Sequence, residues 1–382
     1  MNIQDFARQA DGPGISAFLR ALPERPLLLG LGEARHFVTE LGEVRNAIFR
    51  HLVEHEGFRS MAVESDCLLG LLVDDYVTSG AGDLDDVMER GFSHGFGAAP
   101  GNRELVRWMR AYNEDHDDKL RFFGFDGPLE YWAASPRQAL TGLYELLDGP
   151  LPCTRETLDA LLGPDERWSD EATVMDPARS IGQSADAQRL RVIADDLLCL
   201  LDMQAPGLST RDRERAELHG RTAVGLLRYH HWMADTSPAR ISRLSGQRDA
   251  MMADNLRAVA GHGPALVFTH NLHLQRNRSV MSLGEQRVEM WSAGAILTAR
   301  LGARFAFLAS AFGVAGNDVP PPDTVEGVLS ALPWDAALVD ARGLAGSVPR
   351  VSTDFAYFPL DPAHLDLIDG VLFLREASHV LK

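Results

Sequence analysis

The sequence predicts an α/β fold: a central, mostly parallel or mixed sheet flanked by helices, with a helical lobe inserted. Three observations carry this expectation. Short apolar runs rich in β-formers recur along the chain, amphipathic helical patterns fall between them, and from about Leu151 to Gln247 long helical stretches replace the strand signal. The expected organisation is therefore residues 1–150 as the N-terminal part of the α/β core, 151–247 as a helical insertion lying over the site like a lid, and 248–382 as the C-terminal part of the core. At 382 residues the chain can hold one large domain with an insertion or two ordinary domains.

Seven runs read as buried strands: PLLLGLGE (Pro26 to Glu33), SMAVESD (Ser60 to Asp66), LRFFGFD (Leu120 to Asp126), PALVFTHN (Pro264 to Asn271), ARFAFLAS (Ala303 to Ser310), DAALVDA (Asp335 to Ala341) and DGVLFLRE (Asp369 to Glu376). Between the first two, Leu41, Val44, Ile48 and Leu52 recur at helical spacing and Gly57 can end the helix, which makes a βαβ unit. Asn102 to Asp115 reads as the helix feeding the third strand, with Asn102 as its N-cap. The consecutive prolines of Asn317 to Thr324 place a surface loop there, since they lack the donors a sheet or helix requires.

Composition narrows the function classes. A 45% hydrophobic and 24% charged chain has the balance of a soluble globular protein. Its formal charge of −17 repels polyanions, so nucleic acid is not an expected partner and a neutral or cationic small molecule is. The N-terminus has no basic and apolar leader, and no apolar run reaches membrane-spanning length, so the expectation is a cytoplasmic protein without membrane contact. Cys67, Cys153 and Cys199 show no CxxC spacing and read as reduced structural thiols.

In open α/β sheets, ligands gather at the carboxyl ends of the strands. Here the first run ends in Glu33 with His36 following, the second in Glu64 and Asp66, the third in Asp126, and the fourth in His270 with His273 three residues on. Carboxylates are almost never fully buried unless paired, so this clustering points to a polar site rather than to packing. A carboxylate on one nitrogen of a histidine fixes its tautomer and makes the other nitrogen a general base, a role that Glu33 or Glu64 can support at His36. Asp66 and Asp126 are candidate substrate-binding groups beside it.

The H-x-x-H spacing of His270 and His273 also admits a metal such as Zn or Mn held with the carboxylates, although the H-E-x-x-H string is absent. No metal or other cofactor is expected, because His and carboxylate form metal-free proton-transfer pairs as well. Arg45, nine residues after His36, can face the site as a cation for an oxyanion; spacing alone favours an exposed helix arginine paired with an acid one turn away. His51, His55, His94, His116, His219, His230, His231 and His262 read as structural. No G-x-S-x-G elbow occurs, and Arg35 stands where a dinucleotide fingerprint needs its third glycine.

The chain resembles the erythromycin esterase family in seven ordered blocks: GEARHFVTELGEVR, GFRSMAVESD, LVRWMRAYN, FFGFDGP, RDAMMADNL, FTHNLHLQ and IDGVLFLRE. The resemblance implies His36 as general base, Glu33 and Glu64 as its acid partners, His270 and His273 completing the site, and Arg45 assisting. It also implies hydrolysis of the lactone ester of 14-membered macrolides by activated water without a metal. Many family members carry Gly after the motif histidine; this chain has Phe37, as macrolide-cleaving members do, which makes Phe37 a substrate-binding candidate. The segment Gly91 to Asn102 and the helical insertion depart from the family pattern, and these parts shape the substrate cleft. The expected activity is thus an ester hydrolase on a macrolide or related polyketide. The alternatives are a biosynthetic dehydratase, lactonising or acyl-transfer enzyme, a metal-dependent hydrolase on the same groups, and a non-catalytic ligand-binding protein.

Overall fold

Each of the seven apolar runs forms a strand in the computed structural model, which describes residues 3–130, 133–283, 286–314, 318–352 and 356–377. In chain order the strands are β1 (Ala7–Gln9), β2 (Leu28–Glu33), β3 (Ser60–Asp66), β4 (Arg121–Asp126), β5 (Ala265–His270), β6 (Arg278–Leu283), β7 (Gln286–Trp291), β8 (Phe305–Val314), β9 (Ala336–Val339) and β10 (Gly370–Glu376). The helices are α1 (Gly12–Ala21), α2 (Thr39–His55), α3 (Gly70–Ser79), α4 (Leu84–Arg90), α5 (Pro100–Asp115), α6 (Arg137–Glu145), α7 (Arg155–Leu162), α8 (Ala185–Gln204), α9 (Thr210–Met233), α10 (Arg240–Ala260), α11 (Asn271–Leu274), α12 (Ala293–Leu301) and α13 (Val325–Leu329).

The main sheet runs β1-β9-β10-β8-β2-β5-β3-β4. From β10 to β4 all neighbours are parallel, and β9 lies antiparallel to both β10 and β1. Parallel strands need helices on both faces, and that is why the strands read as continuous apolar runs. One face packs Leu29, Leu31, Met61 and Val63 against Leu41, Ile48 and Phe49 of α2 and Val106 of α5. The other packs Leu28, Ala62, Val267 and Phe305 against α10 and α12 through Met252, Leu256 and Leu297.

A separate core joins α6, α7, α8 and α9 through Leu140, Leu158, Leu190, Leu197 and Leu227. It abuts the sheet domain at Cys67 and Leu68, just after β3. α10 runs without a break from Arg240 to Ala260, leading from these helices back to the sheet.

One expectation is corrected. Asn102 is not the N-cap of α5: Pro100, with its φ preset for a first helical turn, starts the helix two residues earlier, and Asn102 sits inside it with its side chain turned to Arg45 and to the Phe96 carbonyl. A hairpin outside the seven expected strands, β6–β7, follows β5 and forms a separate two-stranded sheet. The proline-rich segment is irregular from Asp318 to Thr324, where Thr324 caps α13; Asn317 lies outside the described residues. Among the described residues no helix is long and apolar enough to cross a membrane.

Candidate functional site

The parallel register places Glu33, the last residue of β2, directly beside His270, the last residue of β5. Gly32 before it is required by packing: a Cβ there would stand 2.0 Å from the Asn271 Oδ1 atom. Asn271 in turn bonds the backbone of Ser310 on β8, locking three strand ends together. After β2 the chain turns so that His36 Nδ1–H donates to Glu33 Oε2 at 2.8 Å. The His36 ring lies 5.0 Å from that of His270 and 5.3 Å from Phe96, and its Nε2 is 3.9 Å from Glu64 Oε2. Burial opposes charge on this ring, but the Glu33 hydrogen bond and the charges of Glu33 and Glu64 outweigh burial and push it up to about 9.

Glu64 is aimed by an irregularity in β3, whose register with β4 shifts between Val63 and Asp66. Bulges re-aim side chains in this way beside active sites. Gly124 on β4 is demanded by the same feature, since a Cβ there would meet the Asp66 carbonyl oxygen at 2.3 Å. One oxygen of Glu64 accepts from the Thr269 hydroxyl and the His270 N–H; the other stands 3.4 Å from His273 Nε2 and 3.6 Å from Arg248 Nη2. Burial alone would raise this carboxyl, yet the charges of His273, His36 and Arg248 and the Thr269 bond hold it below the usual carboxylate range. Glu64 is therefore a fixed anion around which the cations assemble.

The two histidines of the H-x-x-H string differ in charge. The Leu272 N–H donates to His270 Nδ1, so His270 caps the short helix α11 and its proton sits on Nε2. Burial and the neighbouring His36 charge push it down to about 3, leaving a neutral ring. His273 is buried, and its Nδ1–H donates to Asp249 Oδ1 at 3.0 Å; although burial disfavours its charge, Asp249 and Glu64 raise it above the ordinary histidine value.

Sequence reasoning missed Arg248. It projects from α10 and grips Asp126 with Nε and Nη2 while facing Glu64. Asp126 and Glu64 raise it further, against its burial. The block RDAMMADNL was singled out in the sequence, but helical periodicity does not say which of its polar residues turns to a strand end. His94 was read as structural and instead lines the cleft, its Nε2–H donating to Asp126 at 3.2 Å, with its backbone at φ 56.

Three placements correct the sequence expectations. Asp126 is fully buried and its oxygens are taken by Arg248, His94 and the Gly127 N–H, so it braces the site without facing a ligand. Asp66 is buried away from the cleft and accepts from the Leu68 and Leu69 N–H groups; burial pushes it up to about 6. Arg45 is neither exposed nor paired with an acid one turn away. It is 1% exposed, bonds Asn46 and Asn102, and lies over the Phe268 ring, lining a cavity of about 40 Å³ behind Glu33 and Glu64. Burial pushes it down to about 10. Burial likewise pushes the Cys67 thiol up to about 12, where it is no nucleophile.

These groups open into a cleft of about 580 Å³ lined by His36, Phe37, Glu64, Arg248, His270 and His273, with Arg35, His94, Phe96 and Glu130 around them. Phe37 holds a left-handed backbone, φ 65, a conformation costing a non-glycine residue about 1 kcal/mol or more. Its ring meets Phe96 at 5.2 Å to form an apolar wall beside His36. Among the described residues no group of three or more His, Cys, Asp or Glu side chains is arranged to hold a metal ion. What the arrangement offers is a ring positioned by a carboxylate with its second nitrogen toward the cleft, plus two nearby donors, the Arg248 guanidinium and the His270 Nε2–H.

Comparison with known proteins agrees with the fold. A crystal structure of a Bacillus cereus protein superposes with a TM-score of 0.73 at 16% identity, covering 99% of this chain and 97% of that one. A succinoglycan biosynthesis protein gives 0.72 at 16% identity, over 99% and 96%. A mutant of the erythromycin esterase EreC in its open conformation gives 0.67 at 18%, over 95% and 93%. In sequence, the chain is 28% identical to the type I erythromycin esterase of Escherichia coli over 34% of its own length and 30% of that protein's, and 30% identical to the type II enzyme of Escherichia coli over 26% and 23%. The chain thus aligns with less than a third of either relative's length. The sequence profile of the erythromycin esterase family matches residues 53–376, which takes in Glu64, Arg248, His270 and His273 and begins after Glu33, His36 and Arg45. With that profile matched over most of its length, this chain belongs to the erythromycin esterase family.

Proposed function

We propose that this protein is a carboxylic ester hydrolase that opens the lactone ester of a 14-membered macrolide with water activated at His36, without a metal. The carrying observation is the His36 ring, tied at Nδ1 to Glu33 and turned at Nε2 toward a cleft that also holds Arg248 and His270. Neutral His36 takes a proton from water through Nε2 while the water oxygen bonds to the ester carbonyl carbon. The carbonyl electrons move onto its oxygen, where the Arg248 guanidinium and the His270 Nε2–H donate to it. When the carbonyl reforms, the bond to the alcohol oxygen breaks and His36 returns its proton to that oxygen, giving a hydroxy acid. Arg45, behind the carboxylates, and His273, clamped between Asp249 and Glu64, hold this charge arrangement in place.

His36, pushed up to about 9, rests as an imidazolium near neutrality. That favours a second reading of the same groups: an acid-first dehydration or acyl transfer on a related natural product. Mass-spectrometric turnover of erythromycin by EDTA-treated protein, beside His36→Ala, separates the two. Gain of one water by the wild type and not by the variant supports metal-independent hydrolysis. A folded protein that leaves erythromycin intact, with or without added divalent metal, removes the macrolide assignment; loss of water from a hydroxylated polyketide would then support the second reading.

A further inference from the structure

Against β4, the edge strand of the main sheet, α3, α9 and α10 enclose a cavity of about 300 Å³ that shares no lining residue with the catalytic cleft among the described residues. Pockets for single small ligands span roughly 300–1,000 Å³, so this one has room for one small molecule. Leu71 of α3, Phe123 of β4, Leu218 of α9 and Val259 of α10 give it apolar walls.

Among the described residues the arginines around this cavity are matched by acids except for one. Arg121 pairs with Asp74 and Glu214, Arg211 and Arg215 share Asp75, and Arg257 pairs with Asp254. Arg221 of α9 makes no ion pair there. Its Nε–H donates to Asn255 Oδ1 at 2.6 Å, Asn255 donates in turn to the Phe125 carbonyl, and among the described residues no protein acceptor meets Nη1 or Nη2. Burial pulls the proton affinity of Arg221 down, and Glu217 and Asp254 oppose this only from beyond ion-pair distance, each with its own partner in Arg213 or Arg257. A desolvated guanidinium without a counter-charge is costly to keep, so an anion is taken up beside it at a gain.

We infer that this cavity is a second ligand site, taking a small monocarboxylate whose oxygens bond the Nη groups of Arg221 and whose apolar body lies on Leu71, Leu218 and Val259. One unmatched positive charge calls for one negative charge, and the planar fork of a guanidinium fits the two oxygens of a carboxylate. The acids that ring the cavity, Asp74, Asp75 and Glu214, repel a dianion such as phosphate. The site stands independently of the reaction at His36.

Isothermal titration calorimetry with octanoate, n-octylamine and inorganic phosphate tests this on the wild type, Arg221→Met, Arg221→Lys and Ala258→Phe. Ala258 lines the cavity from a half-buried position on α10, so a ring there narrows the cavity and keeps the Arg221 charge. Octanoate is expected to bind the wild type and to bind Arg221→Met roughly tenfold or more weakly, the scale of loss when one partner of a desolvated charge pair is truncated. Ala258→Phe should weaken octanoate as well, with the charge intact, and Arg221→Lys should recover part of what Arg221→Met loses. Octylamine, with the same chain and the opposite charge, should bind the wild type roughly tenfold or more weakly than octanoate does. Because Arg221 holds no ion pair among the described residues, Arg221→Met should melt at or above the wild-type temperature, which keeps the comparison among folded proteins. Octanoate held equally by the wild type and Arg221→Met lies elsewhere and overturns the inference. So does a wild type that binds no octanoate at millimolar concentration, or one that binds phosphate as tightly as octanoate.

Discussion

Replacing Glu33 by Gln should move the pH dependence of catalysis rather than abolish it. The amide oxygen can still accept from His36 Nδ1–H, so the tautomer is kept, but the carboxylate charge 2.8 Å from the ring is gone. What remains is burial and the Arg248 charge, both lowering the ring's proton affinity, against the Glu64 charge 3.9 Å from Nε2. The ring should therefore fall from about 9 to near or below its ordinary 6.5, a shift of about two units or more. In the wild type the ring is neutral in roughly one molecule in a hundred at pH 7, and in the variant in the majority. The expected profiles of kcat/KM between pH 6 and 10 are half-maximal near pH 9 for the wild type and about two units lower for Glu33→Gln, with a lower plateau for the variant because its base is weaker. NMR titration of His36 in both proteins gives the same shift without substrate. A rising limb that stays in place in the variant, or that lies below pH 7 in the wild type, would refute the reasoning. The linkage has a definite sign: a histidine raised on folding stabilises fully below its unfolded value of about 6.5, and that contribution is lost as pH rises through about 9. The melting-temperature advantage of the wild type over Glu33→Gln should shrink over that range.

Other substitutions report on the surrounding framework. Arg248→Met leaves the fully buried Asp126 without its cation and should cost about 3–5 kcal/mol in urea unfolding; adding Asp126→Asn should recover much of the stability and none of the activity. Phe37→Gly releases the left-handed backbone but loses the Phe96 contact, so stability should change by less than about 1 kcal/mol while KM for a bulky ester rises several-fold with little change in kcat. Because Asp66 holds its proton more tightly folded than unfolded, the stability of the wild type relative to Asp66→Asn, which keeps an acceptor for Leu68 and Leu69, should decline as pH rises from about 4 to about 6 in thermal melts, and a difference that grows over that range would contradict it.

The sheet was legible because strands buried on both faces leave uninterrupted apolar runs, and the polar residues that end them were legible for the same reason: they break the run. Glu33, His36, Glu64, His270 and His273 all follow from that one contrast; the structure brings the last four to one cleft, with Glu33 bonded to His36 behind it. β1 and the β6–β7 hairpin escaped because ARQ carries no apolar pattern and the hairpin alternates, with Val280 and Trp291 exposed. Asp66 and Asp126 illustrate the opposite error: a strand end brings a carboxylate near a site, but Asp66 is taken up by the Leu68 and Leu69 N–H groups and Asp126 by the Arg248 grip, so neither faces it. Arg248 and His94 needed tertiary information, since one lies mid-helix and the other in a loop, and only folding sets both against Asp126.

The Phe358 N–H donates to the Ala34 carbonyl at 2.7 Å, one residue beyond Glu33. That bond stitches the rim of a cavity of about 640 Å³, lined by Val280, Met281 and Phe358 beside the cleft, to the turn just after the strand that carries the acid. Among the described residues no hydrogen bond ties the hairpin opposite to β2, and its Val280 is half exposed at the cavity wall. The two sides of the cavity are thus unequal in evolutionary freedom: insertions or new side chains on the hairpin can reshape what the protein accepts without disturbing Glu33, whereas a change that shifts Phe358 is felt at once by the base. Relatives with different substrates should differ first on the hairpin side.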